Sequence, residues 1–436
     1  MLPPGSERSC NGHDPLHFAL RGYVSVVMNL FLQWPITVRT GIVALCALVV
    51  ARFVNWAIYN WAYHRRPIGP WNPPREGDAR HLADHLPIVG WWLLRREAGD
   101  HGRGFWIRPL CIELLFPLAI AAYYVFYTEG GTLPRGVLAL PFQIPLHWQF
   151  LAHFLLASLM TIATFIDFDE QSIPDHVTIP GTCLGLCGAL LAPAWFPFDT
   201  LGGITELHAA SPGRWPAWLN GPAGLKWAVV ITLVWGFALL DRRWIRRRGW
   251  KKAIEYFFVR MVRSREVWMA TAVGVAVILV LIAYGWTAAN PGRWTYLLSG
   301  LLGMAFAGGV TWGVRVSAST GLGVEALGFG DVTLMAMIGA YIGWQPSMLV
   351  FFLAPLVAIA FVLLRWMVTG ETATPYGPYL CAATVLVLVF WDALWSNWAA
   401  PVFASLGSAV VGIVVACVAL MGILLWIWRL IKEAIL

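Results

Sequence analysis

Two acidic residues lie where apolar segments meet polar sequence, a place where a carboxylate is poorly solvated. Asp167 follows the apolar stretch 147–166, and Asp331 opens another such stretch directly after Gly328-Phe329-Gly330. Ionisable side chains at membrane depth are rare and are functional candidates by default. Two facing carboxylates do not readily ionise together, so such a pair supplies one acid and one base around a water molecule that attacks a peptide carbonyl. The pair predicts an aspartyl protease with Asp167 and Asp331 as its catalytic residues.

Each motif also has a purely structural explanation when it is taken alone. An acid before an apolar run, such as Asp175 or Asp331, is a common helix N-cap, and Gly328-Phe329-Gly330 is a common loop sequence. In a catalytic site, Gly328 and Gly330 would allow a tight turn and leave room for substrate beside Asp331. The catalytic interpretation is favoured because the two motifs occur together, and which aspartate holds the proton stays open.

The elements that must position these acids are membrane spans. Of the 436 residues, 59% are hydrophobic and 12% are charged, whereas a soluble domain has roughly 25% charged residues. The apolar residues form blocks of about 17–25, the length of a membrane-spanning helix. The segments of about ten residues with alternating polarity that build membrane barrels do not occur. The sequence predicts an all-α, polytopic transmembrane helical bundle of about 9–11 spans with a small cytoplasmic loop domain.

The candidate spans follow from the apolar blocks. They are 39–61, 108–127, 147–166, 177–196, 225–241, 267–286, 296–316, 332–348, 347–366, 377–397 and 402–428.

The distribution of basic residues predicts the orientation of these spans. The net charge is +7, and ten of the thirty Lys and Arg residues lie between Arg242 and Arg265. Loops rich in Lys and Arg stay in the cytoplasm, which places segments 167–176 and 317–331 on the cytoplasmic face. We expect the segment Arg242–Arg265 to contact anionic lipid headgroups of the bilayer. This location of the basic residues argues against nucleic acid as a partner.

The arrangement of motifs resembles that of the prepilin peptidases, which are type IV leader peptidases of the GxGD intramembrane aspartyl protease group. Their first pattern, an Asp followed by Leu/Ile-Pro-Asp, is matched by Asp167 and Ile173-Pro174-Asp175. Their second pattern, Glu-x-Met-Gly-x-Gly-Asp-x-Lys-Leu, is similar to Glu325–Leu334, in which Leu327 and Thr333 replace the Met and the Lys. A later element, Phe-Gly-Pro-Phe/Tyr-Leu, resembles Tyr376-Gly377-Pro378-Tyr379-Leu380.

The amino-terminal half is similar to the same family. The loop Asp84–Arg96 and the segment Arg108–Glu113 resemble the family's Asp-Asn-Ile-Pro-Val-Leu-Ser-Trp loop and its Tyr-Pro-x-x-Glu segment. The resemblance divides the chain into four parts. They are an N-terminal polar or interfacial segment (1–38), the first spans with the cytoplasmic loop (39–128), the peptidase membrane core (147–397) with an inserted basic hairpin at 225–288, and an extra C-terminal helix (402–436).

The resemblance implies a function and a location. The chain would remove the leader peptide of type IV prepilins or pseudopilins in the bacterial inner membrane, with its catalytic acids near the cytoplasmic face. Proteolysis would need no cofactor and no metal. The residues implied to support catalysis are Gly328, Gly330, Asp169, Asp175, Pro174 and Glu325, the last of which would meet the basic leader.

One departure leaves a second activity open. Family members often N-methylate the trimmed substrate with S-adenosylmethionine, an activity associated with the amino-terminal region. Typical members have two CxxC pairs in the cytoplasmic loop, whereas none of the seven cysteines here forms such a pair, which argues against a zinc site or a disulfide framework. S-adenosylmethionine is therefore a cofactor only if methylation is retained.

Two alternatives are a different family of proteases and a protein without enzymatic activity. Signal-peptide-peptidase-like proteases also use Gly-x-Gly-Asp, but they pair it with Tyr-Asp, whereas Ile166 precedes Asp167 here. A transporter or assembly scaffold could use acids to bind cations, although transporter acids usually lie at mid-span on broken helices.

Overall fold

The chain is a helical membrane protein. The computed structural model describes residues 26–73, 80–131, 133, 142–201, 203–239, 265–287, 291–324, 326–369, 375–407 and 409–435. In these ranges eight helices are long and apolar enough to cross a membrane, and up to nine if one bent pair counts as a single span. The all-α polytopic class predicted from the sequence is confirmed.

The long helices are numbered in chain order. They are α1 (Ile36–Asn60), α2 (Ile107–Thr128), α3 (Gln143–Glu170), α4 (Asp175–Leu191), α5 (Pro222–Leu239), α6 (Arg265–Thr287), α7 (Pro291–Leu322), α8 (Phe329–Ile342), α9 (Trp344–Thr369), α10 (Gly377–Val389) and α12 (Ala409–Ile435), with the short α11 (Ala400–Leu406) before the last.

The helix that carries Asp331 lies at the centre of the bundle. Helix α8 has only 14 residues, and every residue from Asp331 to Ile342 is buried. Its neighbours α7 and α4 pack closely on it, and a Cβ atom added at Gly303 of α7 would lie 2.1 Å from the carbonyl oxygen of Gly339. Small residues at such a crossing let two helix backbones touch. Because α8 is enclosed by protein, it does not need the length that lipid contact demands, and it is shorter than the predicted span 332–348.

The predicted span 377–397 is broken. Helix α10 ends at Val389, a π-helix covers Asp392–Ala399, and α11 follows, so that the axis bends by 76°. The rings of Trp391 and Trp395 stack with centroids 5.5 Å apart, and Trp391 Nε1 donates to the carbonyl oxygen of Phe198, 2.9 Å away. These buried contacts stabilise the bend, since π-helical turns rarely persist without tertiary support.

Two loops close the ends of the bundle. Between α4 and α5, the strands β1 (Phe198–Asp199) and β2 (Thr205–Glu206) pair antiparallel. Between α1 and α2, a short helix, Val89–Leu94, packs its buried Trp91 and Leu94 against Tyr59 of α1 and forms a small separate core. The second loop occupies the position of the predicted cytoplasmic domain.

Some predictions lie outside the described residues. They concern segment 1–25 of the proposed N-terminal part, residues 242–264 of the basic segment, and Glu325.

Candidate active site

Asp167 lies in the last turn of α3 and faces the start of another helix. Its side chain is buried, and its Oδ2 accepts a hydrogen bond of 3.1 Å from the backbone N–H of Gly377, the first residue of α10. The amide groups at a helix N-terminus carry a partial positive charge that stabilises a nearby carboxylate. The approach is close, because a Cβ atom at position 377 would lie 2.6 Å from Oδ2 of Asp167. A side chain at position 377 would therefore displace the Asp167 carboxylate.

Asp331 is held at the start of its own helix. Gly328 is the N-cap of α8, and its backbone N–H interacts with the Asp331 carboxylate, which belongs to the third helical residue. This is half of a capping box, in which an acid at the third position binds the N-cap amide. A Cβ atom on Gly328 would lie 3.3 Å from Oδ2 of Asp331. The tight turn expected from the glycines thus brings the carboxylate back over the helix end.

The structure brings the two aspartates together. Asp167 is close enough for its charge to act on Asp331, and both carboxylates act on the thiol of Cys381 in α10. The hydroxyl of Tyr376 lies within electrostatic range of Asp331. Asp167 and Asp331 are 4% and 7% exposed, so the pair is sheltered from bulk water. Two sheltered carboxyl groups in one site can hold a water molecule between an acid and a base.

Ile173 is a site residue that the sequence analysis quoted in a motif without assigning it a role. A Cβ atom on Gly330 would lie 2.9 Å from Cβ of Ile173, and one on Gly377 would lie 2.8 Å from its Cδ1. Ile173 therefore fills the space beside Gly330 and Gly377 and packs between the first residues of α8 and α10. The Ile-Pro-Asp motif was the signal that could have identified it. Pro174 is the N-cap of α4 and Asp175 its first residue.

Asp169 points to a different partner from Asp167. Its carboxylate forms ion pairs with Arg108 of α2, at 2.7 Å, and with Arg66, at 3.5 Å. The next residue, Glu170, accepts hydrogen bonds of 2.9 Å and 2.8 Å from the backbone N–H groups of Tyr63 and His64. The end of α3 is therefore anchored to the loop after α1, within one helical turn of Asp167.

A second buried carboxylate organises the amino-terminal part. Glu113 in α2 is fully buried and accepts hydrogen bonds from Trp91 Nε1, at 2.9 Å, and from the backbone N–H of Ile88, at 2.6 Å. Asn55 Nδ2 contributes a third hydrogen bond, and Arg52 lies 3.7 Å away. A buried charge is stable only with partners of this kind. Glu113 thereby ties α1, α2 and the loop between them together.

No metal site is found in the ranges that the structure describes, since they contain no group of three or more His, Cys, Asp or Glu side chains placed to hold an ion.

Comparisons with known proteins agree on one family. The profile described as "Type IV leader peptidase family" matches residues 262–363, which include Asp331. A "Prepilin leader peptidase/N-methyltransferase" of Aeromonas hydrophila is 34% identical over 319 residues, which cover 72% of this chain and 69% of that protein. A protein of the same description from Aeromonas salmonicida (strain A449) gives the same identity and coverage. One from Pseudomonas aeruginosa is 35% identical over 118 residues, or 26% of this chain and 41% of that protein. No solved structure matches the chain at comparable significance.

Proposed function

The chain belongs to the type IV leader peptidase family, and we propose that it is a membrane-embedded aspartic endopeptidase that removes the leader peptides of type IV prepilins or pseudopilins. The observation that carries the catalytic assignment is the convergence of the sheltered carboxyl groups of Asp167 and Asp331, which come from helices about 160 residues apart in the chain. The comparisons favour this function over the signal-peptide-peptidase-like protease and over the transporter.

The proposed reaction uses the aspartates as an acid and a base. The ionised carboxylate takes a proton from the water molecule, and the oxygen of that water bonds to the peptide carbonyl carbon. At the same time the protonated carboxyl group gives its proton to the carbonyl oxygen. Collapse of the tetrahedral intermediate breaks the C–N bond, and the departing amine takes a proton from the site. The hydrogen bond from Gly377 and the cap at Gly328 hold the two carboxylates in place for this exchange.

The position of the pair suits a substrate that has a short basic leader ahead of an apolar helix. Such a helix partitions into the bilayer and would deliver the scissile bond to the end of α3, where Asp167 lies. We place this end at the cytoplasmic face of the inner membrane, because the basic loops predict that orientation. Glu325 would then meet the basic leader, and the segment Arg242–Arg265 would meet anionic headgroups.

We propose that part 39–128 carries the second activity named for the relatives, N-methylation of the new N-terminus, and that part 147–397 carries proteolysis. Among the buried polar atoms of the amino-terminal part that lack a hydrogen-bond partner are Arg52 Nη1, Asn55 Oδ1, Trp71 Nε1 and Asn72 Nδ2. They include donors and an acceptor, as the polar groups of S-adenosylmethionine require. S-adenosylmethionine supplies the methyl group, and these side chains would bind it beside the Glu113 cluster.

Co-expression with a prepilin tests both activities. Mass spectrometry of the product should show a shortened chain, and an added methyl group if methylation is retained. Asp167→Asn and Asp331→Asn should each abolish cleavage without loss of the protein from the membrane. Asp199→Asn is the matched control, because Asp199 is equally buried but lies in the loop between α4 and α5. Normal cleavage by either of the first two variants refutes the catalytic assignment.

A further inference from the structure

The start of α10 contacts Asp167 and lies within electrostatic range of Asp331. Gly377 donates its N–H to Asp167, and the preceding residue, Tyr376, places its phenolic oxygen within electrostatic range of Asp331. Tyr376 is the N-cap of α10 and is partly exposed. Two consecutive residues thus lie beside the site, one with a backbone amide bonded to Asp167 and one with a hydroxyl group near Asp331.

Packing holds the Tyr376 ring in this position. Its centroid lies 6.4 Å from that of Tyr379 in a T-shaped arrangement, and Tyr379 packs in turn on Phe361 of α9, 5.6 Å away. The N–H of Tyr379 also bonds to the carbonyl oxygen of Tyr376, 3.0 Å away. Edge-to-face aromatic contacts of this kind restrict ring orientation. The hydroxyl is therefore preorganised beside the acids.

Cys381 also lies within electrostatic range of the aspartates, but it is differently placed. Its side chain is buried, and its Sγ donates to the carbonyl oxygen of Met160, 3.8 Å away. A thiol that is buried and directed at the backbone of α3 is not available to a substrate. Tyr376 combines proximity to Asp331 with partial exposure.

We propose that Tyr376 is a further catalytic residue, whose hydroxyl donates a hydrogen bond to the peptide carbonyl oxygen as water attacks. This inference rests on the proposed function. As the water oxygen bonds to the carbonyl carbon, the π electron pair moves onto the carbonyl oxygen, and the ionised aspartate takes the proton released by the water. Negative charge therefore develops on the carbonyl oxygen until the other aspartate has transferred its proton to it. A fixed neutral donor offsets that charge, and Tyr376 keeps its proton throughout.

Tyr376→Phe tests the proposal, because it removes one oxygen atom and keeps the ring that packs on Tyr379. Steady-state cleavage of a purified prepilin by the full-length protein in detergent micelles gives kcat and KM. Loss of a donor used only in the transition state should lower kcat on the order of 10²-fold and leave KM within about twofold. Tyr379→Phe is the matched control, since it removes the same atom one turn along α10, and it should keep the wild-type kcat.

The outcomes separate this inference from the proposed function. Active wild-type protein with an unchanged kcat in Tyr376→Phe overturns the role of the hydroxyl and leaves the peptidase assignment intact. A higher KM at unchanged kcat overturns it too, because the hydroxyl would then bind only the ground state. An inactive wild type would refute the proposed function and this inference with it. Thermal unfolding of each variant in the same detergent shows whether the packing of α10 is preserved.

Discussion

The Gly377→Ala variant tests most directly whether the position of Asp167 matters. The backbone of Gly377 is helical, so alanine fits its conformation without strain. The added Cβ, however, would lie 2.6 Å from Oδ2 of Asp167, where an ordinary contact begins at 3.4 Å. The carboxylate must therefore retreat by about 0.8 Å or rotate away, because the methyl group cannot move within the helix.

The cost in stability should be small and the cost in rate large. Oδ2 is the far end of a flexible side chain, so it can move, and the variant loses one hydrogen bond worth about 1 kcal/mol net. Replacing glycine by alanine in a helix returns about 0.5–1 kcal/mol. In contrast, displacing a reacting group by about 1 Å can lower the rate roughly 10²-fold. We expect Gly377→Ala to fold normally and to cleave a prepilin about 10²-fold more slowly.

The assay pairs initial rates of leader cleavage with thermal unfolding of the purified protein in one detergent. Gly309→Ala in α7 serves as the control, because nothing lies within 4 Å of its added Cβ, and it should keep the wild-type rate and unfolding temperature. If Gly377→Ala cleaves within about threefold of the wild-type rate, the contact between α10 and Asp167 has no catalytic importance and the reasoning is refuted.

Two further predictions concern residues outside the pair. Arg315 of α7 donates a hydrogen bond from Nε to the carbonyl oxygen of Leu327, 2.9 Å away, and its guanidinium group lies over the Phe329 ring. Arg315→Met should therefore loosen the loop before Asp331. The variant should lower kcat about tenfold with a small change in unfolding temperature. Glu206, in the loop between α4 and α5, has its pKa raised from 4.5 to about 7 by burial, against the opposing effect of hydrogen bonds from the N–H groups of Trp195 and Phe196. Between these two pKa values the folded state holds a proton that the unfolded state releases. The free energy of unfolding should therefore fall by up to about 3 kcal/mol as pH rises from 4.5 to 7. Unfolding temperatures should decline over that range for the wild type and stay level for Glu206→Gln.

The features that the sequence predicted well depend on short stretches of chain. An apolar run of about 20 residues indicates a span, and Asp167 and Asp331 could be singled out as candidates because each borders such a run. The span 377–397 shows the limit of this rule. Its residues are mostly apolar, with Asp392, Ser396 and Asn397 towards its end. The bend is stabilised by Trp391, whose Nε1 donates to a carbonyl in the loop between α4 and α5, about 190 residues earlier. A contact over that distance in the chain cannot be predicted from a local sequence pattern.

Asp169 shows a second limit. The resemblance implied that it supports catalysis, which stays a prediction. Residues two apart in a helix point to different sides, and the partner of Asp169 in the structure is Arg108 of α2, which the sequence did not indicate. Gly377 shows the converse case. It is 210 residues from Asp167 and was quoted only as part of a motif, yet its amide contacts the carboxylate. Predicting these partners requires the helix packing, which the sequence does not supply.

The two faces of the last turn of α3 therefore have different partners. One face presents Asp167 to α10, and the other presents Asp169 and Glu170 to Arg108 and to the loop after α1. The Asp169 carboxylate is 21% exposed, and ion pairs with that much solvent contact contribute at most about 1 kcal/mol. The backbone amides that bind Glu170 add a contact that salt screens less, because its carboxylate is only 6% exposed. Since these contacts lie within one turn of Asp167, the packing of the amino-terminal part on the end of α3 helps to fix the position of that carboxylate.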